Sequence, residues 1–386
     1  MRFVFFCHSV TSDWNNGNAH FQRGVVSELL SRGHAVTVFE PRDGWSAKNL
    51  IEDAGPGAAS AFERHYPNFD VQRYELGSLD LERALAGADV VVVHEWSEPE
   101  LVRALGQRRA RGGRYLLFFH DTHHRMVTAP AEMYRFEFDG YDAVLAFGEA
   151  LRERYRDAGW GDRAFTWHEA ADTRVFYPRP AAAARHDVVW VGNWGDEERS
   201  QELDEFLLAP VKGLGLSSRV YGVRYPAEAK ERLQAVGADY GGWLPNYEVP
   251  GVFAAARVTV HVPRRPYAAA LPGIPTIRPF EALSCGVVLL SAPWQDSEGL
   301  FRVDRDFLMV RDGAEMQRRL RDVLEDAALA RELRESGLET IRARHTCAHR
   351  VDELLSIVRR LRAGAEPERR GFGDGGGPSS LTEAAE

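Results

Sequence analysis

The stretch 272–292, PGIPTIRPFEALSCGVVLLSA, decides how the chain is read. Phe280, Ala282, Leu283 and Cys285 give a short helix an apolar face, Gly286 supplies a residue able to take positive φ at its end, and residues 287–290 form an apolar run of strand length. Helix, glycine and buried strand in that order are half of a βαβ unit. A proline is tolerated in the first turn of a helix, so the helix is expected to begin at about Pro279. Glu281 then falls in the first turn, where free N–H groups and the macrodipole favour an anion. A carboxylate that merely complements its helix is one reading of that position, and the surrounding sequence has to decide.

The same pattern extends in both directions. Towards the amino terminus, residues 3–7, 35–39, 89–93, 115–119 and 143–147 read as short apolar strands separated by helix-length segments. Residues 172–186, DTRVFYPRPAAAARH, interrupt that rhythm with two prolines and an alanine-rich linker, and the domain boundary is placed there. The pattern restarts with strands at 188–191, 219–222, 258–262, 287–290 and 307–310. The fold class expected is therefore α/β: two Rossmann-like, doubly wound domains facing a central cleft. The divisions are 1–176, 177–345, a carboxyl-terminal helix at 346–363 and a disordered tail at 364–386, whose composition cannot bury a core.

Composition narrows the function. The chain of 386 residues carries a net charge of −9, which argues against a nucleic-acid partner, because binding a run of phosphates needs a basic face. Cys7, Cys285 and Cys347 are widely separated and odd in number, as in a reduced cytoplasmic protein without a disulfide framework or zinc site. No run approaches the roughly 18 to 20 apolar residues of a membrane span. Arg359, Arg360 and Arg362 near the last helix end suit its negative pole, and at most admit peripheral contact with the inner face of a membrane.

Ligands of open α/β sheets bind beyond the carboxyl ends of the strands, so the residues after each strand carry the search. In the stretch 8–34 the loop Asn16, Gly17, Asn18 opens an amphipathic helix, and Gly17 lets a phosphate or sugar come close, although a plain capped loop has the same residues. In YLLFFHDTHHRMVTAP, residues 115–130, a strand delivers His120, Asp121, His123 and His124 to one loop. Metal binding is weighed there and set aside for want of ligand spacing, in favour of acid–base work or hydroxyl recognition. After the strand at 188–191 come Gly192, Asn193, Trp194 and Gly195, with Arg199 at a helix start; Arg199 either reaches a phosphate or pairs with a glutamate of its own helix. Arg264, Arg265 and Arg278 gather near Glu281 as a diphosphate site. A carboxylate beside phosphate is repelled by it but accepts hydrogen bonds from the two hydroxyls of a ribose, which makes Glu281 a ribose ligand. The pair Asp139 and Asp142 in FDGYDAV, 138–144, looks like a metal-binding DxD, but Asp142 reads better as the residue preceding a buried strand.

Over residues 1 to about 362 the chain resembles the GT-B glycosyltransferases, most closely the family-4-like group and its branch similar to the spore-maturation protein CgeB. The likeness rests on RGHAVTVFE (32–40), AADTRVFYP (170–178), VVWVGNWG (188–195), GGWLPNYEVPGVFAAARVTV (241–260) and RPFEALSCGVVLLSA (278–292) followed by GLF (299–301). The resemblance implies a nucleotide diphosphate sugar, UDP- or GDP-linked, held by the second domain, and an unknown acceptor (glycan, lipid, protein or small molecule) on the first. It implies a final helix crossing back to the first domain. It further implies no metal or other cofactor, Glu281 on the donor ribose and the base near Trp243 and Leu244, while the positions of Gly17, Asn193, Arg199, Arg264 and Arg278 after strands and at helix starts suit them to the diphosphate. Retention of anomeric configuration is the expected outcome; inversion would need a base, for which His120, Asp121 and His123 are the candidates. One departure stands out: the family's second glutamate, eight positions before Glu281, is here Gly273. A nucleotide-sugar-binding protein without turnover, and a GT-B epimerase or phosphorylase, are the alternatives.

Overall fold

The computed structural model describes residues 1–180, 185–195 and 197–364. The tail from 365, and most of the alanine linker, lie outside the described residues. Seven strands form the first sheet: β1 (Arg2–Phe6), β2 (Ala35–Pro41), β3 (Asp70–Tyr74), β4 (Val90–His94), β5 (Leu116–Asp121), β6 (Ala143–Ala146) and β7 (Ala164–Thr166). Their order is β3-β2-β1-β4-β5-β6-β7, parallel throughout. The second sheet holds β8 (His186–Val191), β9 (Ser218–Tyr221), β10 (Ala238–Tyr240), β11 (Ala256–His261), β12 (Val288–Ser291) and β13 (Leu308–Met309), in the order β10-β9-β8-β11-β12-β13. Both are doubly wound, with the order reversing between β1 and β4 and again between β8 and β11.

Pleating sorts each strand between two layers. Phe3, Phe5, Val90, Val92 and Phe118 enter one core, while Val4, Phe6, Val91, Val93, Leu117 and Phe119 enter the core on the opposite face. A strand buried on both faces has to be apolar at every position, which is why VVVVH and LLFFHD stand out in the sequence. β3, β7 and β10 escaped notice there: the first and last are sheet edges with polar, exposed positions, and β7 is only three residues long.

The helix Cys347–Gly364 returns to the first domain and crosses the helix Asn18–Ser31. The crossing is tight, since a Cβ on Gly24 would lie 2.4 Å from Cys347 Sγ. Trp167 Nε1 donates to Arg350 O at 2.8 Å, and Arg32 and Arg362 pair with Asp352 and Asp89. The first core continues from β1 through Phe280, Leu289 and Val351, so the two domains and the last helix share apolar packing.

The helix bearing Glu281 begins earlier than expected. It runs Ile277–Ser284 after Thr276, whose φ is 61°, so Glu281 is its fifth residue and lies in the second turn. Pro279 occupies the third helical position, where an N–H would lack an intrahelical partner in any case, and therefore does not mark the start. Free N–H groups are not what Glu281 meets.

Candidate active site

The carboxyl edges of the two sheets face one another across a cleft of about 600 Å³. All five diphosphate candidates line it: Gly17 at the start of the Asn18–Ser31 helix, Asn193 after β8, and Arg199, Arg264 and Arg278. Trp243 and Leu244 line the same space, as does His123.

Arg199 is folded back into the wall. Its guanidinium donates to Val262 O at 3.0 Å and Asn193 O at 2.7 Å and lies over the Trp190 ring at 5.1 Å. Gly195, at φ 97°, makes that path open: a Cβ there would lie 2.6 Å from Arg199 Cγ. Arg264 pairs with Glu198 at 2.8 Å and Arg278 pairs with Glu281, whereas Arg199 has no ion pair among the described residues and its buried Nε has no hydrogen-bond partner. Burial, then the charges of Arg264 and Arg278, pull the Arg199 pKa down from its usual value. An anion between these three groups relieves that repulsion.

Glu281 does not line the cleft. Its side chain is fully buried, accepting from Asn246 Nδ2 at 2.8 Å and from Arg278, with His20 Nδ1 at 3.3 Å. Arg278 and Asn246 do line the cleft and stand between it and the carboxylate. Asn246 is held in turn by Asp13, which accepts from Asn246 N at 3.1 Å, Trp243 Nε1 at 3.0 Å and Arg23 Nη1 at 2.8 Å. One first-domain carboxylate thus positions the second-domain loop carrying Trp243. Asn193 also bridges the domains, its amide donating to Asn15 while its Oδ1 accepts from Val223 N at 3.0 Å.

The three acid–base candidates separate. His120 ends inside the sheet layer against Phe21 and Trp167 and does not line the cleft. Asp121 is spent on structure: it accepts from Tyr155 Oη at 2.7 Å and from His123 N at 3.0 Å, which orients the loop. Both belong to β5 itself, where side chains enter the packed layers, and only residues past the strand end turn into the cleft. His123 is such a residue. Burial, with His124 and Arg125 adding like charge, pushes its pKa down to about 2, so it is a neutral imidazole, and its Nδ1 has no partner among the described residues.

Glu169 was not singled out in the sequence. It lines the cleft three residues after β7, takes one hydrogen bond on Oε1 from Asn18 Nδ2 at 3.2 Å, and has its pKa raised to about 8 by burial. Its signal was a carboxylate just beyond a strand, and β7 was too short to be read as one. A glutamate at Gly273 would be strained on this backbone and would have to displace the Glu298 side chain. The φ of Gly273 is 86°, and a Cβ would stand 2.5 Å from Glu298 Oε1, a carboxylate held by His168 Nε2 and Glu149 N, each at 2.8 Å. Asp142 of the DxD-like pair is also structural, with Arg109 bound to both its oxygens and Leu117 N donating to it at 2.8 Å. Among the described residues no group of three or more His, Cys, Asp or Glu is arranged to hold a metal ion, and no helix is long and apolar enough to cross a membrane.

Two doubly wound domains joined by a crossing helix, with the cleft between their carboxyl edges, are the GT-B architecture. Residues 199–356 match a family model described as glycosyl transferase-like. Sucrose-phosphate synthase from Thermosynechococcus elongatus superposes with a TM-score of 0.66 at 14% identity over 94% of this chain and 100% of that one. The Anabaena protein HepE, solved with UDP and glucose, gives 0.66 at 13% over 93% and 99%. The T4 phage protein BGT, solved with UDP and Mn2+, gives 0.59 at 13% over 93% and 99%. At such identities the likeness establishes the fold. No curated protein matches the chain.

Proposed function

We propose that the protein transfers a sugar from a nucleoside diphosphate sugar, UDP-linked in first choice and GDP-linked in second, to an acceptor on its first domain. The observation that carries this is Arg199, buried beside Arg264 and Arg278 without an ion pair among the described residues, opposite Gly17 and the start of the Asn18–Ser31 helix. UDP accompanies HepE and BGT in solved structures of this fold. In the reaction the acceptor oxygen bonds to the anomeric carbon as the bond from that carbon to the β-phosphate oxygen breaks. The diphosphate leaves with the electron pair, and the acceptor proton passes to a phosphate oxygen with retention, or, with inversion, to His123, whose low pKa the negative charge of the bound diphosphate raises. The three arginines neutralise the charge that develops on the diphosphate, which is the reason for proposing a metal-independent reaction. Trp243 and Leu244 take the base, Glu281 the ribose, and the chain is assigned to the family-4-like, CgeB-like branch, acting in the cytoplasm with at most peripheral membrane contact and no nucleic-acid partner.

Calorimetric titration of the full chain with UDP and GDP tests this. One of them binds, and Arg199→Met weakens it by about tenfold or more, the loss of a charge-assisted hydrogen bond. If neither nucleotide binds, or the variant binds as well as the parent, the proposal fails. A second reading draws on Gly273: with no carboxylate at that position, the protein binds a nucleotide sugar without turnover, or interconverts it as an epimerase. Interconversion of the free nucleotide sugar identifies the epimerase, and binding with no consumption of donor in the presence of acceptors identifies the binding protein.

A further inference from the structure

The arginines and Trp243 form the second-domain wall of the cleft, and the opposite wall is built differently. Strands β2, β1, β4 and β5 lie side by side in that order, and past their carboxyl ends come Trp45, His8, Trp96 and His123, all lining the cleft. His8, Trp96 and His123 each stand two residues beyond their strand's last residue, and Trp45 opens the helix after β2. Adjacent strands are about 4.8 Å apart, so the row spans about 14 Å.

Its members alternate in chemistry. Trp45 is 38% exposed and Trp96 41%, large values for indoles in a molecule whose other core aromatics are covered. Trp14, Trp167, Trp190 and Trp243 give their indole N–H groups to protein acceptors; those of Trp45 and Trp96, like those of Trp160, Trp194 and Trp294, have none among the described residues, but only Trp45 and Trp96 of these five line the cleft. Beside each stands a histidine, His8 with its ring 4.9 Å from Trp45 and His123 edge-on at 5.0 Å from Trp96. His8 is 7% exposed, and its buried Nε2, like His123 Nδ1, has no hydrogen-bond partner among the described residues. Arg125 lies over Trp96 at 3.9 Å and fixes that ring. Buried polar nitrogens without partners are costly unless a ligand supplies them, and exposed indoles want an apolar face.

A pyranose offers both, an apolar C–H face and a rim of hydroxyls. An acyl chain would cover the indoles and leave the ring nitrogens unsatisfied. We propose that this row is the acceptor subsite and that the acceptor is a saccharide, its rings stacked on Trp45 and Trp96 and its hydroxyls bonded to His8 Nε2 and His123 Nδ1. Only the role of acceptor rests on the transferase reading; the saccharide site stands without it.

Saturation-transfer NMR on the full chain, with maltose, cellobiose and octyl β-D-glucopyranoside as probes, free and with UDP present, tests the assignment beside a calorimetric UDP titration. At least one disaccharide receives saturation on its ring protons. Trp45→Ala and Trp96→Ala each weaken its affinity by about tenfold, Trp96→Phe recovers part of the loss, and UDP affinity stays within about twofold in each variant. Absence of saturation in all three probes, signal confined to the octyl chain, disaccharide binding undiminished in both alanine variants, or a parallel loss of UDP binding overturns it. UDP failing to bind while the disaccharide still does would sink the donor assignment and leave the saccharide row in place.

Discussion

Glu281 is a buried carboxylate whose nearest partners come from three separate parts of the chain, His20, Asn246 and Arg278. A ribose reaches it only by displacing Arg278 or Asn246, so its contribution to binding is a matter of chemistry to be separated from its contribution to the fold. UDP and 2′-deoxy-UDP titrated against the parent and Glu281→Gln make that separation. With ribose contact the variant loses about 1.5 to 3 kcal/mol towards UDP and less towards the deoxy nucleotide; an equal loss for both would confine Glu281 to positioning Arg278. Glu169 makes a second prediction. With its pKa raised to about 8, the carboxyl is protonated at neutral pH and acquires charge as the pH rises through that value, beside the site proposed for a diphosphate. UDP affinity is therefore expected to fall between about pH 7 and pH 9 in the parent and to fall less in Glu169→Gln, as followed by calorimetry across that range.

Two helices meet at a place where a missing side chain is required. At Gly24, where the Asn18–Ser31 helix meets the last helix, an added Cβ would also lie 2.8 Å from Asp172 Cβ. Alanine would gain helix propensity of up to about 1 kcal/mol, but the overlap is with packed atoms that cannot swing away. Gly24→Leu is expected to cost about 1 to 3 kcal/mol in a denaturant titration and to expose the Cys347–Gly364 helix to protease; unchanged stability would mean that the crossing relaxes freely. Elements of this kind were unevenly legible. β4 and β5 announce themselves because both faces are buried, whereas β3 and β10 are edges with polar residues and carry no such run. The Ile277–Ser284 helix was legible as a helix but its phase was not, because proline is permitted at the third position as well as the first.

The molecule as a whole carries many buried histidines. Burial pushes His8 down to about 4 and His20, His120, His261 and His345 to about 3, below the roughly 6.5 of an unfolded chain. A depressed folded value means that the unfolded state binds more protons over that interval, so these groups lower stability as the pH falls from about 6.5 through their folded values. Glu169 acts in the opposite sense, its raised value giving stability that is lost as the pH rises from about 4.5 through 8. Glu95, Asp121, Asp172 and Glu281 are raised in the same sense as Glu169, but the lowered histidines, which also include His34, His94, His123 and His124, outnumber them, and the melting temperature is expected to climb from pH 4 to about 6.5; a flat profile there would show that the histidines are hydrated in the folded state. The sequence by itself determined the alternation of strands and helices and the division into two Rossmann-like domains, because periodicity and glycine or proline placement act over a few residues. Only the tertiary structure decided which side chains meet. His120 and His123 are three residues apart, yet one is packed inside the sheet and the other lines the cleft, and the wall of Trp45, His8, Trp96 and His123 exists only because the crossover order sets β2, β1, β4 and β5 side by side. Facing depends on where a strand ends and which strand lies beside it, and neither is written in the local spacing of residues.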